Sequence, residues 1–180
     1  MKYIDGKILT ENGFEKGYIL QKKQGTSQLH IGQYHGTNSK KYYIVPTLVN
    51  AHTHIGDSFI RYKNIPLPHD IISLVAPPNG LKHVLLEKTS KEEILQGIIK
   101  GLVELEKEGI STFIDYRENG YEGVKLLKNA LQHSSINSII LARPLTDHTT
   151  TNELRKILSE SNGIGLSSVE DYPYEEITFI

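Results

Sequence analysis

The chain has 180 residues, of which 23% are charged, and its formal net charge at pH 7 is -1. This length can bury the core of one domain plus a small appendage, and the near-zero charge argues against a nucleic-acid or anionic-membrane surface as the main function. Cysteine is absent, which excludes disulfides and thiolate metal sites, so a bound metal must use histidine and carboxylate ligands.

Residues 1–43 predict a small β-unit. Apolar and aromatic runs alternate with turn residues and show no helical period, which indicates about four strands. Asp5 and Gly6 form a two-residue hairpin signal between the first two runs. A second turn is indicated at Gln24 and Gly25.

The next stretch, 44–59, reads IVPTLVNAHTHIGDSF and predicts a buried strand that ends in two histidines. Because side chains alternate along a strand, His52 and His54 should project to the same side, where both rings can reach one metal ion. Chance alone gives roughly 0.3 such pairs in this composition, so the pair by itself is equally compatible with two loop histidines. The apolar strand before it and the small or acidic residues after it favour the metal site.

The segment 60–89 is rich in proline and lacks clear periodicity. A connection of this length inside a compact domain predicts a functional or mobile loop. It carries His69, Asp70 and His83, each of which is also compatible with a solvated loop residue.

From residue 90 onward helices and strands alternate. Ser90 and Glu93 form a capping box, apolar residues follow at helical spacing, and Gly109 ends the helix. Such alternation indicates a parallel sheet with right-handed crossovers. The later predicted elements are strands at 110–115, 138–143 and 164–168, helices at about 121–133 and 151–159, and the start of a helix after Asp171.

A closed eight-stranded barrel takes about 250 residues, and the part of this chain from residue 44 onward is about half of that. The predicted fold class is therefore α/β. It is a partial (β/α)8 TIM barrel of about four βα units at 44–180, preceded at 1–43 by part of a small β-sandwich.

Charged residues follow the predicted strands at their carboxyl ends, where barrels hold substrate contacts. Arg117 and Glu118 follow the second strand together with Asp115, and Arg143 ends the third. We predict substrate contacts for Arg117, Glu118 and Arg143, with rim salt bridges as the alternative. Asp57 could hydrogen-bond a ligand histidine or serve in the turn beside its neighbouring glycine.

The stretch 44–59 resembles the first barrel strand of the amidohydrolase superfamily of metal-dependent hydrolases, whose pattern is apolar-Pro-Gly-apolar-apolar-Asn-x-His-x-His. Thr47 stands where the family usually has glycine. The likeness continues through GLKHVLLEKTS, GISTFIDYRENGYEGVKLL and ILARP, and is greatest for archaeal members near the cytosine deaminase and chlorohydrolase branch. The residues that match the pattern are Pro46, Val49, Asn50, His52 and His54.

The resemblance implies hydrolysis of C–N bonds, with amide or deaminase chemistry, in a small cyclic or heterocyclic substrate. A divalent metal, zinc or iron, would be bound by His52 and His54, and His83 would contact the substrate. In the relatives the remaining metal ligands lie on the fifth, sixth and eighth strands, which have no counterpart here. In some branches of the family a lysine on the fourth strand bridges two metals, but the fourth predicted strand here contains no lysine, so the resemblance favours a mononuclear site. The catalytic acid or base also comes from the missing part in the relatives.

We therefore expect an N-terminal portion of such an enzyme, inactive alone, with metal weakly bound or absent and a β-sandwich completed by later strands. The alternative is a truncated or split product that acts as a weak metal-binding or partner-associating module. The expected partners are a small-molecule substrate and either a second copy or the missing C-terminal half, with no nucleic acid. With no apolar run near the roughly 18 residues of a membrane span and no signal peptide, we expect a cytoplasmic protein without membrane association.

Overall fold

The computed structural model describes residues 2–22, 27–36, 40–76, 79–145, 150–166, 168 and 170. The chain divides into two compact units, Met1–Thr47 and Leu48–Ile180. Within the described ranges, each unit contains a four-stranded sheet.

The sheet of the N-terminal unit has the strand order β3-β2-β1-β4. Strands β1 and β2 pair antiparallel, as do β2 and β3, whereas β4 runs parallel to β1. The structure thus has four strands here, the number that the sequence predicts, but the two predicted runs on either side of Asp5 and Gly6 form the single strand β1, and β4 lies beyond the predicted runs. Their bounds are Lys2–Thr10 for β1, Gly13–Gln21 for β2, Ser27–Ile31 for β3 and Tyr42–Ile44 for β4.

The hairpin predicted at Asp5 and Gly6 was wrong, because β1 runs unbroken through both residues and turns only after Thr10. Gly6 serves a different purpose. A Cβ at this position would lie 1.9 Å from the carbonyl oxygen of Tyr42, so the glycine permits the close approach of β4. The turn predicted at Gln24 and Gly25 lies outside the described residues.

The sheet of the second unit is parallel and follows chain order, β5-β6-β7-β8. Helices connect the strands, so a mixed α/β fold with a parallel sheet is confirmed. The strands are β5 (Leu48–Thr53), β6 (Ile110–Arg117), β7 (Asn137–Ala142) and β8 (Gly163–Ile164). The helices are a 3₁₀ helix (Ile55–Tyr62), α1 (Ile71–Val75), α2 (Leu81–Lys88), α3 (Lys91–Lys107), α4 (Gly120–Leu131) and α5 (Thr151–Glu160).

Helix α3 follows the predicted pattern closely. The Ser90 side chain accepts a hydrogen bond from the Glu93 backbone N–H at 3.2 Å, and Gly109 has a φ of +79° where the helix ends. The apolar stripe of α3 packs into the main core together with α4 and the sheet. Residues that are at most 1% exposed in this core are Ile98, Leu102, Phe113, Val124, Leu127, Ala130, Ala142 and Ile157.

The strand predicted to start buried at Ile44 differs from the structure. Ile44 belongs to β4 and pairs with Ile8, while β5 starts at Leu48. Leu48 and Val49 are 57% and 61% exposed, because β5 is an edge strand of the described sheet. Apolar character therefore predicted the strand correctly and its burial wrongly.

The segment 60–89 contains more regular structure than its sequence predicts. It includes the end of the 3₁₀ helix and the short helices α1 and α2, whose five and eight residues are too few to show a clear period. Asp70 caps α1 by accepting a hydrogen bond from the Ser73 backbone N–H at 2.7 Å.

The end of the chain is described only in part. Strand β8 covers the start of the predicted strand 164–168, and the helix predicted after Asp171 lies outside the described residues. None of the helices in the described part of the chain has the length and apolar character needed to cross a bilayer.

Candidate metal and substrate site

The two histidines lie side by side at the carboxyl end of β5. The pairing of β5 with β6 is irregular between Asn50 and Thr53, which places His52 within a bulge and His54 just after the strand. The Nε2 atoms of His52 and His54 are 3.3 Å apart, and the ring centroids are 5.3 Å apart. The predicted projection of both rings to one side is thus confirmed.

This spacing fits a shared metal ion. Two imidazole nitrogens that bind one tetrahedral zinc at about 2.0–2.1 Å lie about 3.3–3.4 Å from each other. No group of three or more possible ligands is found among the residues that the structure describes. Within the described residues, the geometry is therefore compatible with two ligands of such a site.

Glu118 lies behind His54 and sets which ring nitrogen carries the proton. Its Oε1 is 2.8 Å from His54 Nδ1. An ionised carboxylate only accepts hydrogen bonds, so Nδ1 is the donor, and in the neutral imidazole Nε2 then keeps its lone pair toward His52. Ligand histidines in metalloproteins have this arrangement, in which a carboxylate orients the ring from behind.

Three donors keep Glu118 ionised although it is only 5% exposed. Burial by itself would raise the pKa of Glu118, but the hydrogen bond from His54 and the charges of Arg117 and Lys82 hold it well below the ordinary value of 4.5. Lys82 Nζ is 2.6 Å from Oε1, and an Arg117 guanidinium nitrogen is 3.1 Å from Oε2. The carboxylate is thereby fixed at both oxygens.

Asp115 fixes the backbone on both sides of His54. One of its oxygens accepts a hydrogen bond from the Thr53 hydroxyl at 2.9 Å and another from the Ile55 backbone N–H at 2.6 Å. Burial raises the pKa of Asp115, and the nearby charge of Arg117 opposes this shift. A residue noted in the sequence only for its place after a strand thus positions the histidine loop.

Arg117 is buried and faces the interior. It is 2% exposed, and its side chain packs against Gly56, where a Cβ would lie 1.7 Å from a guanidinium nitrogen. Arg117 also donates from Nε to the backbone oxygen of Glu118 at 3.2 Å. The structure therefore places this predicted substrate contact behind Glu118, outside the lining of the cavity described next.

A cavity of about 560 Å³ opens in front of the histidine pair. Three of the predicted substrate contacts, His83, Glu118 and Arg143, line it with both histidines. Its other lining residues are Asp57, Val75, Ala76, Lys82, Tyr116 and Leu166.

His83 and Arg143 stand in different settings in this cavity. His83 Nε2 is 3.1 Å from the Val75 carbonyl oxygen, and burial lowers the pKa of His83. Arg143 follows β7 directly, and its guanidinium forms no ion pair within the described ranges of the chain.

Two residues of this site were missed in the sequence, Lys82 and Tyr116. The Tyr116 ring lies against His52, with centroids 4.5 Å apart. Lys82 joins Glu118 to Asp57, whose Oδ2 is 3.0 Å from Nζ. The Asp57 side chain therefore pairs with a lysine, while its backbone N–H donates to the His54 carbonyl oxygen at 3.2 Å in the turn. A lysine in the first turn of a helix opposes the helix dipole, but α2 itself was not predicted, so the sequence offered no local signal for Lys82.

The family model for the amidohydrolase family matches residues 43–173. The chain belongs to the amidohydrolase family. An uncharacterized protein of Methanocaldococcus jannaschii is 34% identical over 180 residues, an alignment that covers 99% of this chain and 44% of that protein. This amidohydrolase chain therefore spans less than half the length of that relative.

Solved structures of similar fold include two hydrolytic enzymes. Atrazine chlorohydrolase from Arthrobacter aurescens, in complex with zinc, has a TM-score of 0.57 and 16% identity, covering 88% of this chain and 41% of that one. Guanine deaminase from C. acetobutylicum, with guanine in its active site, has a TM-score of 0.57 and 12% identity, covering 86% and 41%. At these identities the likeness shows that the amidohydrolase chain shares part of their fold.

Proposed function

We propose that this chain carries the first part of the active site of a metal-dependent hydrolase that cleaves C–N bonds in a small cyclic or heterocyclic substrate. The observation that carries the proposal is the convergence of two ring nitrogens 3.3 Å apart, with Glu118 behind one of them. Membership of the amidohydrolase family supports the reaction class, and the deaminase of similar fold supports amide or deaminase chemistry.

His52 and His54 would hold a divalent cation, zinc or iron. The zinc in the chlorohydrolase of similar fold supports zinc. A cation bound here would lower the pKa of a water molecule so that hydroxide is available near neutral pH. Glu118 orients His54, and Asp115 fixes the backbone of Thr53 and Ile55 on either side of it.

The cavity in front of the histidines would bind the substrate. Tyr116, Val75 and Leu166 offer apolar surface to a ring, while Arg143 and His83 can contact its polar groups. Arg143 suits an oxygen acceptor or an anionic substituent, because its guanidinium has no acidic partner among the described residues. Glu118 faces the cavity but is already engaged by its three donors.

We further propose that Leu48–Ile180 corresponds to the first four βα units of a (β/α)8 barrel and that the N-terminal unit is part of a composite β-sandwich. The parallel sheet in chain order and the coverage of less than half of the relatives support this. On this proposal the chain is inactive alone, binds metal weakly, and acts in the cytoplasm with a second copy or with the rest of the barrel.

A second candidate function is a non-catalytic module that binds metal weakly or associates with a partner. The observation in its favour is that the described residues supply two metal ligands and no third. The exposed apolar residues Leu48 and Val49 on edge strand β5 also favour association with another chain.

Metal titrations of the chain test the site: calorimetry measures the binding of zinc, and the absorption spectrum of bound cobalt measures the binding of cobalt. We expect one ion per chain, with binding at least tenfold weaker in His52→Ala and in His54→Ala than in the wild type. His133→Ala, an exposed histidine after α4, is the matched control and should bind as the wild type does. Equal binding by all four proteins would contradict the site.

Ammonia release separates the two candidate functions. We expect none from the chain alone on a panel of cyclic amides and amino-substituted heterocycles. Release after mixing with a polypeptide that carries the remaining histidine and aspartate ligands supports the hydrolase. Metal binding without release in that mixture favours the non-catalytic module.

A further inference from the structure

Lys82 is a buried cation that the proposed function does not use. It is 7% exposed, and its Nζ lies 2.6 Å from Glu118 Oε1 and 3.0 Å from Asp57 Oδ2. Buried charges are normally paired, so two carboxylates beside an ammonium group are an ordinary solution. The unusual feature is that Oε1 of Glu118 also accepts the hydrogen bond from His54 Nδ1.

Lys82 lies on the buried face of α2, so its side chain points toward the core of the unit and not toward solvent. Lys82 and Leu86 are the two buried residues of α2, and they are four positions apart, so both lie on the same helix face. A lysine in the first helical turn faces the positive end of the helix dipole, which disfavours it. The ion pairs with Glu118 and Asp57 offset that effect and attach α2 to the histidine loop.

The remaining contacts of Glu118 leave Oε1 dependent on Lys82. Arg117 engages the other oxygen, Oε2, and the backbone oxygen of Glu118. Without Lys82 only His54 would donate to Oε1, and the carboxylate could turn toward Arg117. His54 would then lose the acceptor that keeps its proton on Nδ1.

We propose that Lys82 is a positioning residue that holds Glu118 against His54, so that the His54 ring keeps its proton on Nδ1 and presents the Nε2 lone pair beside His52. The expected change in zinc affinity rests on the proposed function, whereas the position of the His54 proton in the metal-free protein does not depend on it. Lys82 acts through Glu118 and does not contact the metal position itself. The simpler alternative is that Lys82 only neutralises buried carboxylates and leaves His54 unaffected.

Nitrogen NMR of the metal-free full chain, in which His54 is assigned by its loss in His54→Ala, reports the tautomer directly. We compare the wild type with Lys82→Met, Lys82→Gln and Lys82→Arg, and we titrate each with zinc. The milder Lys82→Gln variant serves if Lys82→Met does not fold. Lys91→Met is the matched control, because Lys91 also starts a helix and pairs with an acid, Glu122, on an exposed surface.

The expected result is a wild type with the proton on Nδ1 and a mixture of tautomers in Lys82→Met and Lys82→Gln. Zinc affinity should fall roughly tenfold in both, at the lower end of the effects seen when groups behind metal ligands are changed. Lys82→Arg should retain most of both properties, and Lys91→Met all of them.

The proposal is overturned if Lys82→Met and Lys82→Gln keep the Nδ1 proton with unchanged zinc affinity, or if Lys82→Arg is as defective as Lys82→Met. These outcomes differ from a failure of the proposed function. If His52→Ala and His54→Ala bind zinc like the wild type, the metal site fails, while the NMR comparison still decides the role of Lys82.

Discussion

Replacement of Glu118 by glutamine tests the charge network at the centre of the site. Glutamine keeps the shape and one oxygen acceptor of Glu118 but removes its charge. The change leaves Lys82 and Arg117, which are 7% and 2% exposed, without the carboxylate that both contact. Asp57 and Asp115 are then the remaining carboxylates near these two cations.

The magnitude follows from the burial of the three groups. Removing one partner of a buried ion pair typically costs about 3–5 kcal/mol, because the other charge is left buried and uncompensated. We expect Glu118→Gln to lower the free energy of unfolding by about 3 kcal/mol, the lower end of this range, because glutamine keeps one oxygen acceptor and the two nearby aspartates remain. With a urea dependence of about 1–3 kcal/mol per molar, the unfolding midpoint should fall by roughly 1–3 M.

Urea unfolding followed by helical circular dichroism measures this change. All helices of the described ranges lie in the unit Leu48–Ile180, so the helical signal reports the unfolding of the unit that contains Glu118. Glu122→Gln is the matched control, because Glu122 is 57% exposed and pairs with the exposed Lys91 at 2.8 Å. Exposed pairs contribute about 0–1 kcal/mol, so this variant should unfold close to the wild type. If Glu118→Gln costs no more than Glu122→Gln, the network does not hold the site together.

Two further predictions concern the scaffold. Gly97→Ala should destabilise the protein by about 1–3 kcal/mol in urea unfolding, because a Cβ at this position would lie 2.5 Å from the Phe59 Cβ, and this clash outweighs the helix preference of alanine. The control, Gln96→Ala on the exposed side of α3, should cost far less. An equal cost in the two variants would contradict this packing argument. The Ser134 hydroxyl and the Ser135 backbone N–H donate to Glu106 and hold its pKa below the ordinary 4.5. The unfolded state therefore takes up the proton first as acid is added, so the stability that Glu106 contributes is present near neutral pH and is lost as the pH falls below 4.5. The difference in stability between the wild type and Glu106→Gln should thus shrink from about pH 7 to about pH 3, and a difference that stays constant or grows would contradict the assignment.

Several features were predictable because they depend on residues close together in the chain. The capping interaction of Ser90 with Glu93 spans three residues, and the left-handed Gly109 ends the same helix. The common direction of His52 and His54 follows from the two-residue repeat of a strand. Family membership was also recognisable, because the stretch around these histidines resembles a family pattern and the family model matches the same region.

Other features required the folded chain. Gly6 looked like a turn residue because nothing nearby in the sequence indicates that Tyr42 approaches it. Leu48 and Val49 were predicted to be buried because both are apolar, but their exposure depends on which strands flank β5, and the sequence near them does not indicate this. In each case the deciding neighbour is distant in the chain.

The sequence by itself determined the alternation of strands and helices from α3 onward, the family and the paired histidines. Only the tertiary structure decided that Glu118, 64 residues after His54, accepts a hydrogen bond from its Nδ1, and that Lys82 contacts the same carboxylate oxygen. The physical reason is the range of the forces involved. Backbone periodicity is set within a few residues, but a buried charge can be recognised as part of a site only when its partners, brought from other strands and helices, are in place.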